Sequence, residues 1–193
     1  MKNILHFLLL TITFSLFSQD KITDTIQGTK QNLDEVIVQS IRVKYSSPIT
    51  HSNISKTELS LRNLGQDLPI LLNFLPSVVT TSDAGAGVGY TGIRIRGVSA
   101  QSTNITINGI PFNDTESLGT YWVNLPDFTS SIQSLQVQRG VGTSTNGSGA
   151  FGASINILTD DISEDPYAEI SNSIGSYNTY KNTVKFSTGK INN

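Results

Sequence analysis

Three stretches decide how this chain is read: Gly92-Ile93-Arg94-Ile95-Arg96-Gly97, then Ile105-Thr106-Ile107-Asn108-Gly109-Ile110-Pro111-Phe112, then Ser134-Leu135-Gln136-Val137-Gln138-Arg139-Gly140 running through Ser154-Ile155-Asn156-Ile157-Leu158-Thr159. Each alternates apolar and polar side chains at a period of two, the signature of a strand with one face toward a core. Asn108-Gly109 between apolar runs is a strong hairpin signal, and Pro111 keeps the returning strand short or at an edge. Ile93 and Ile95 share one face while Arg94 and Arg96 share the other. Those arginines either face water or grip carboxylates on an enclosing wall, where the planar guanidinium fork is favoured. Leu135 and Val137 alternate with Gln136 and Gln138, and Ile155 and Ile157 mark a further strand. Acid–base chemistry is almost missing here, which suits a shaped obstacle better than a catalyst.

The glycines of this region match G-x-G-x-x-G twice, at Gly87, Gly89, Gly92 and at Gly147, Gly149, Gly152. A dinucleotide site needs a strand before that pattern and a helix after it, so that the pyrophosphate meets a helix N-terminus. Alternating strands follow both matches, at 93–96 and 154–159, and neither ends in the Lys-Ser/Thr of a phosphate loop. A nucleotide-dependent enzyme would require a helix after Gly152. Asp114 and Glu116 in a polar loop read as solvated acids, not as a hydrolytic pair. His51 is the only histidine outside the apolar leader, so any Ser–His–Asp triad would have to use it, and histidine catalysis and multi-histidine metal sites are poorly supplied. The chain has no cysteine, which excludes disulfides and thiolate metal sites.

Toward the N-terminus, Met1 to Ser18 has a lysine followed by an apolar run that is short for a membrane helix, and reads as a secretory signal peptide. Residues 19–47 read as a flexible linker. Within it, Asp34-Glu35-Val36-Ile37-Val38-Gln39-Ser40 holds a β-branched run that favours an extended conformation. That run is either the first strand of the following domain or a peptide for addition to a partner's sheet edge; on residue physics alone the first is favoured.

Residues 48–160 form the domain proper. Thr57 is expected to cap a short helix over 58–64, with Gly65 ending it; Asp67 caps a second, with Pro69 in its first turn and Pro76 as its stop. Loops are expected at 82–91, with Asp83 and Tyr90, and at 113–123, with Asn113, Asp114, Glu116, Tyr121 and Trp122. The Tyr121-Trp122 pair either binds a ligand or covers the core, and covering is favoured. After the acidic, proline-punctuated stretch 160–166, two alternating strands are expected at 167–174 and 180–188. Tyr180, Val184 and Phe186 fall on one face of the second, Lys181 and Lys185 on the other. Transmembrane barrel strands are about 9–11 residues long and alternate in this way. Sixteen glycines, a net charge of −2 and a pI near 5.6 fit a turn-rich domain and offer no basic surplus to a nucleic acid.

The three opening stretches, in that order, resemble the plug domain of TonB-dependent outer-membrane receptors. Ile93 to Gly97 is similar to the family's hydrophobic-Arg-Gly strand. Residues 105–112 are similar to its "DGvP" hairpin, with Asn108 in place of aspartate. Residues 134–159 are similar to its "IEVLRGP…YGSGAiGGvINIiT" segment, with Val141, Asn146 and Ala153 departing from it. The resemblance covers about residues 36–190. It implies an α+β fold: a small mixed β-sheet plug with short helices and long loops at 48–160, then the first strands of an incomplete transmembrane β-barrel at 167–193. By the same resemblance Asp34, Glu35, Val36, Ile37, Val38, Gln39 and Ser40 form a TonB box, which pairs with the TonB energy-transducing complex by strand addition. Arg96 and Arg139 stand where the family places arginines that latch the plug to barrel glutamates, here beyond residue 193. Asp83, Tyr90, Asn113, Asp114, Glu116, Tyr121 and Trp122 fall in loops that would face outward and help hold a small-molecule substrate. The implied activity is gated uptake of a scarce nutrient, by default an iron chelate, across the outer membrane of a Gram-negative bacterium, with the N-terminus periplasmic and no cofactor, metal or enzymatic step. The alternative reading is a secreted β-rich binding or adhesion module without transport.

Overall fold

The computed structural model describes residues 41–146, 149–176 and 178–191, so the expected TonB box at residues 34–40 lies outside the described residues. In chain order the elements are β1 (His51–Ser55), α1 (Lys56–Arg62), α2 (Leu68–Leu71), β2 (Val78–Ser82), β3 (Thr91–Ile95), β4 (Thr103–Ile107), β5 (Ile110–Pro111), β6 (Ile132–Arg139), β7 (Ala153–Thr159), β8 (Tyr167–Ile174) and β9 (Tyr180–Ser187), with single 3-10 turns between some of them. The main sheet has the order β1-β6-β7-β4-β5; β4 and β7 run parallel and the other pairs antiparallel, while β2–β3 and β8–β9 form separate two-stranded sheets. This is the expected α+β arrangement with a small mixed sheet.

Local chemistry sets the short helices. The α1 cap is Ser55, not Thr57. The Ser55 hydroxyl accepts from the Glu58 N–H, and the Glu58 carboxylate accepts from the Ser55 N–H and hydroxyl, which makes a reciprocal capping box. Those bonds from Ser55 hold the Glu58 carboxyl below its ordinary pKa. The helix therefore begins two residues earlier than expected and ends at Arg62, where Asn63 is its C-cap. Asp67 stands at the N-cap of α2 in extended backbone, but its side chain bonds the Thr91 hydroxyl at 2.8 Å instead of the helix. At the expected hairpin, Asn108 (φ 50°) and Gly109 (φ 83°) both take left-handed backbone, as a two-residue turn between twisted strands requires. Pro111 lies in β5 at the sheet edge.

One face of the main sheet is apolar. Ile54, Leu135, Ile157 and Ile107 form one row across β1, β6, β7 and β4, and Val137, Ile155 and Ile105 form the next. They pack with Leu59, Leu68, Leu72, Leu75, Ile93, Ile95 and Trp122 into the core. The indole is 3% exposed, so Trp122 covers the core.

The opposite face is polar, and its centre is buried all the same. Asn53, Gln136, Asn156 and Thr106 make one row and Gln138, Ser154 and Asn104 another. Gln136 is 2% exposed and Gln138 and Ser154 are 0% exposed. The rows are linked laterally: Gln136 Nε2 donates to Asn53 Oδ1 (2.7 Å), Gln138 Nε2 to Gln136 Oε1 (2.9 Å), Thr106 Oγ1 to Asn156 Oδ1 (2.7 Å) and Asn146 Nδ2 to Gln138 Oε1 (2.9 Å). Partners of this kind are what make such burial tolerable. Part of the cover over this face comes from residues 41–43, which composition alone assigns to the linker. Val43 is buried, and Arg42 donates to Ser134 and to the Asn156 carbonyl.

Candidate functional site

The two arginines expected to latch the domain come together from different elements. Ile95 ends β3, and Arg96 and Gly97 follow with φ of 55° and 75°, a tight turn that closes back through a bridge between Ile95 and Val98. The Arg96 N–H donates to the Ser77 carbonyl at 2.8 Å, which fixes the turn. Arg139 is the last residue of β6, and Gly140 follows it. A Cβ at Gly140 would lie 2.9 Å from an Arg96 guanidinium nitrogen, so the glycine lets Arg96 lie over the end of β6. Among the described residues Arg139 reaches only the carbonyls of Pro76 (3.4 Å) and His51 (3.5 Å), both long contacts. Burial and the neighbouring Arg96 charge hold its pKa below the ordinary arginine value. Among the described residues no carboxylate lies within ion-pair distance of Arg96 or Arg139. The arrangement is two like charges side by side without a counter-ion.

The loop residues separate into two groups. Asn113 Oδ1 accepts from the Ile105 N–H, while its Nδ2 donates to the carbonyls of Thr103 and Leu118, so Asn113 pins its loop to β4. Asp114 accepts from the N–H groups of Ser117 and Glu116 and from the Ser117 hydroxyl. The Ser117 bonds, backbone first, hold its carboxyl below the ordinary value. Asn113, Asp114 and Trp122 are thus engaged in the fold. Asp83, Tyr90, Glu116 and Tyr121 are exposed, as Asp114 is too, and the Asp83 N–H donates to the Tyr90 carbonyl across the mouth of their loop.

The hairpin β8–β9 has its polarity reversed relative to a soluble sheet. Ala168, Ile170, Asn172 and Ile174 pair with Phe186, Val184, Asn182 and Tyr180 on one face, and the large apolar members are exposed, Phe186 at 81%. The other face carries Glu169, Ser171, Ser173, Lys181, Thr183 and Lys185. Lys181 pairs with Asp127 (2.7 Å) and donates to the Ser130 hydroxyl, while Lys185 pairs with Asp160 (3.0 Å), which also pairs with Lys56 of α1 (2.6 Å). A polar cleft of about 110 Å³ lies among these groups, with Ser60 and Asn63 on the α1 side. Lys181 and Lys185 were legible as one face of a strand. Their partners Asp127 and Asp160 were not, because they come from turns more than twenty residues away.

A family model described as TonB-dependent Receptor Plug Domain matches residues 43–154. The chain is 28% identical over 147 residues to the probable TonB-dependent siderophore receptor PirA of Acinetobacter baumannii, across 71% of this chain and 18% of that protein. It is 31% identical over 132 residues to the vitamin B12 transporter BtuB of Vibrio vulnificus, across 67% of this chain and 21% of that protein. The chain spans about a fifth of the length of these curated relatives. Among solved structures, the ferric yersiniabactin uptake receptor FyuA from Yersinia pestis shares the fold at a TM-score of 0.55 and 22% identity, over 74% of this chain and 22% of that one. The family model covers more than half of the chain and coincides with the sheet, core and arginine pair described above, and the chain belongs to the TonB-dependent receptor plug domain family.

Proposed function

We propose that this chain is the gating plug, with the first barrel hairpin, of a receptor that imports a scarce nutrient across the outer membrane. The observation that carries this reading is the reversed hairpin. A sheet that turns Ile170, Ile174, Val184 and Phe186 outward and lysines toward the plug suits a wall with lipid outside and plug inside. The unpartnered pair Arg96 and Arg139 supports a second contact, in which carboxylates of later wall strands supply the missing counter-charge and latch the plug. Asp34 to Ser40 acts as the energising peptide, adding as a strand to TonB on the periplasmic side. Asp83, Tyr90, Glu116 and Tyr121 are the exposed loop residues available to substrate. An iron chelate is the favoured cargo, in line with the siderophore and yersiniabactin receptors among the relatives; the B12 transporter supplies the competing cargo class.

Capture by TonB tests the energising step. Wild type should be retained by TonB and Val36→Pro should not, because proline removes a ladder N–H from the added strand. Equal capture of both removes residues 34–40 from this role. Uptake of a labelled ferric chelate, against labelled cobalamin, by cells expressing the whole receptor separates the two cargo classes.

A further inference from the structure

The glycine-rich loop between β2 and β3, which carries Asp83 and Tyr90, is gripped by the start of α2. Between Asp83 and Tyr90 the one buried residue is Gly87. Its carbonyl accepts from the Asp67 N–H at 2.8 Å, and its own N–H donates to the Ser82 hydroxyl at 3.0 Å. Gly87 takes left-handed backbone (φ 78°), and a Cβ there would lie 3.3 Å from the Gln66 side chain and from Ile70 Cγ1, so the loop meets α2 closely at this point. At the loop's exit, the hydroxyl of Thr91, first residue of β3, donates to the Asp67 carboxylate at 2.8 Å. Asp67 thus holds the loop twice, in its buried middle by main chain and at its exit by side chain.

Neither ion pairing nor capping accounts for this carboxylate. Asp67 is 2% exposed, and among the described residues no cation lies within ion-pair distance of it. It stands at the N-cap of α2, yet its side chain makes no bond to that helix. Burial of an acid without a cation is unfavourable, and the partner it has is Thr91. Both ends of the contact are anchored: Leu68, next to Asp67, and Ile93, two residues beyond Thr91, are buried in the core. We propose that Asp67 is a positioning residue for the loop over residues 82–91. It touches no cargo; it fixes where Asp83 and Tyr90 stand, and those two are joined by the Asp83 N–H to Tyr90 carbonyl bond at 3.1 Å. The effect on cargo rests on the importer reading, whereas the tether itself lies wholly within this chain.

Hydrogen exchange in the full chain reads the tether directly. Asp67→Ala should speed exchange of the Asp83 and Gly87 amides by about tenfold or more, the loss expected for a hydrogen bond to a charged group, with a clearly smaller change in the amides of β6 and β7. Asp67→Asn, which keeps an acceptor for the Thr91 hydroxyl, should exchange close to wild type. Thr91→Val should act like Asp67→Ala, and the double variant should add little, as for two ends of one contact. Unchanged loop amides, equal acceleration in loop and sheet, or an Asp67→Asn chain that behaves like Asp67→Ala would overturn the tether. In the complete receptor, the half-saturating concentration of whichever labelled probe the wild type imports, ferric chelate or cobalamin, should rise about fivefold or more in Asp67→Ala, with the maximal rate little changed, and return in Asp67→Asn. A lower maximal rate at unchanged half-saturation would overturn the positioning role. Absence of uptake by the wild type would count against the importer reading and leave the exchange result standing, so the two failures are told apart.

Discussion

Arg96 carries a cost that its own domain does not repay. Its φ of 55° lies in the left-handed region, which disfavours an L residue with a Cβ by about 1–2 kcal/mol, and it is placed beside Arg139 with no carboxylate within ion-pair distance among the described residues. Asparagine tolerates that backbone better. Arg96→Asn should therefore stabilise this chain in urea unfolding, by about 0.5–1 kcal/mol, while loosening the plug in a complete receptor; a loss of stability in the isolated chain would contradict the counter-ion argument. Gly152 is constrained for a different reason. A Cβ there would lie 2.8 Å from the Val98 side chain and 3.1 Å from the Ser102 carbonyl, and its own N–H donates to that carbonyl at 2.7 Å. Gly152→Ala should cost about 1–3 kcal/mol in the same measurement. Gly152, one of the glycines that imitate a nucleotide loop, thus serves close backbone approach. At this scale the sequence reading was uneven for a physical reason. Asn108-Gly109 was legible because a two-residue turn is decided by its own backbone. Ser55 was displaced by Thr57 in the reading because both are good caps, and only the reach of Glu58 to Ser55 separates them. The burial of Gln136 and Gln138 was not legible, since alternation assigns a polar face but cannot say whether something lies on top of it.

At the scale of elements, the hairpin β8–β9 is held to the rest of the chain by charge more than by apolar contact. Burial pushes the Asp160 carboxyl up, but its bonds to Lys56 and Lys185 outweigh that, and its pKa sits below the ordinary value. A carboxyl whose folded pKa is depressed contributes its stability above the unfolded value, about 3.9, and loses it as pH falls toward and through the folded value. Hairpin docking should therefore be insensitive to this group from pH 6 to 8 and weaken below about pH 4. Hydrogen exchange of β9 amides reads this directly. Asp160→Asn should weaken docking by about 1 kcal/mol at neutral pH and remove this group's pH dependence; unchanged acid sensitivity in that variant would assign the effect elsewhere. The two strands were legible in length and phase, because outward residues, apolar but for Asn182, alternate with inward polar ones over 180–187. Which face was inward followed only from Asp127 and Asp160.

On the proposed reading, the whole molecule joins an obstacle to a wall. The core of Leu135, Ile155, Ile157 and their neighbours makes the obstacle rigid, and Leu135→Ala should destabilise it by about 2–5 kcal/mol. The motif order 92–159 was enough to expect the plug fold, and the match over residues 43–154 agrees with it. Substrate choice was not legible, because the exposed loop residues proposed to meet cargo, Asp83, Tyr90, Glu116 and Tyr121, form no arrangement specific to one ligand among the described residues. The central claim is that this domain closes a pore. Its most direct test is single-channel conductance of the complete receptor in a planar bilayer, with and without residues 41–160. The account predicts a closed or barely conducting protein when the domain is present and a large, steady conductance when it is deleted. A deleted receptor that inserts into the bilayer and conducts no more than the intact one would contradict it.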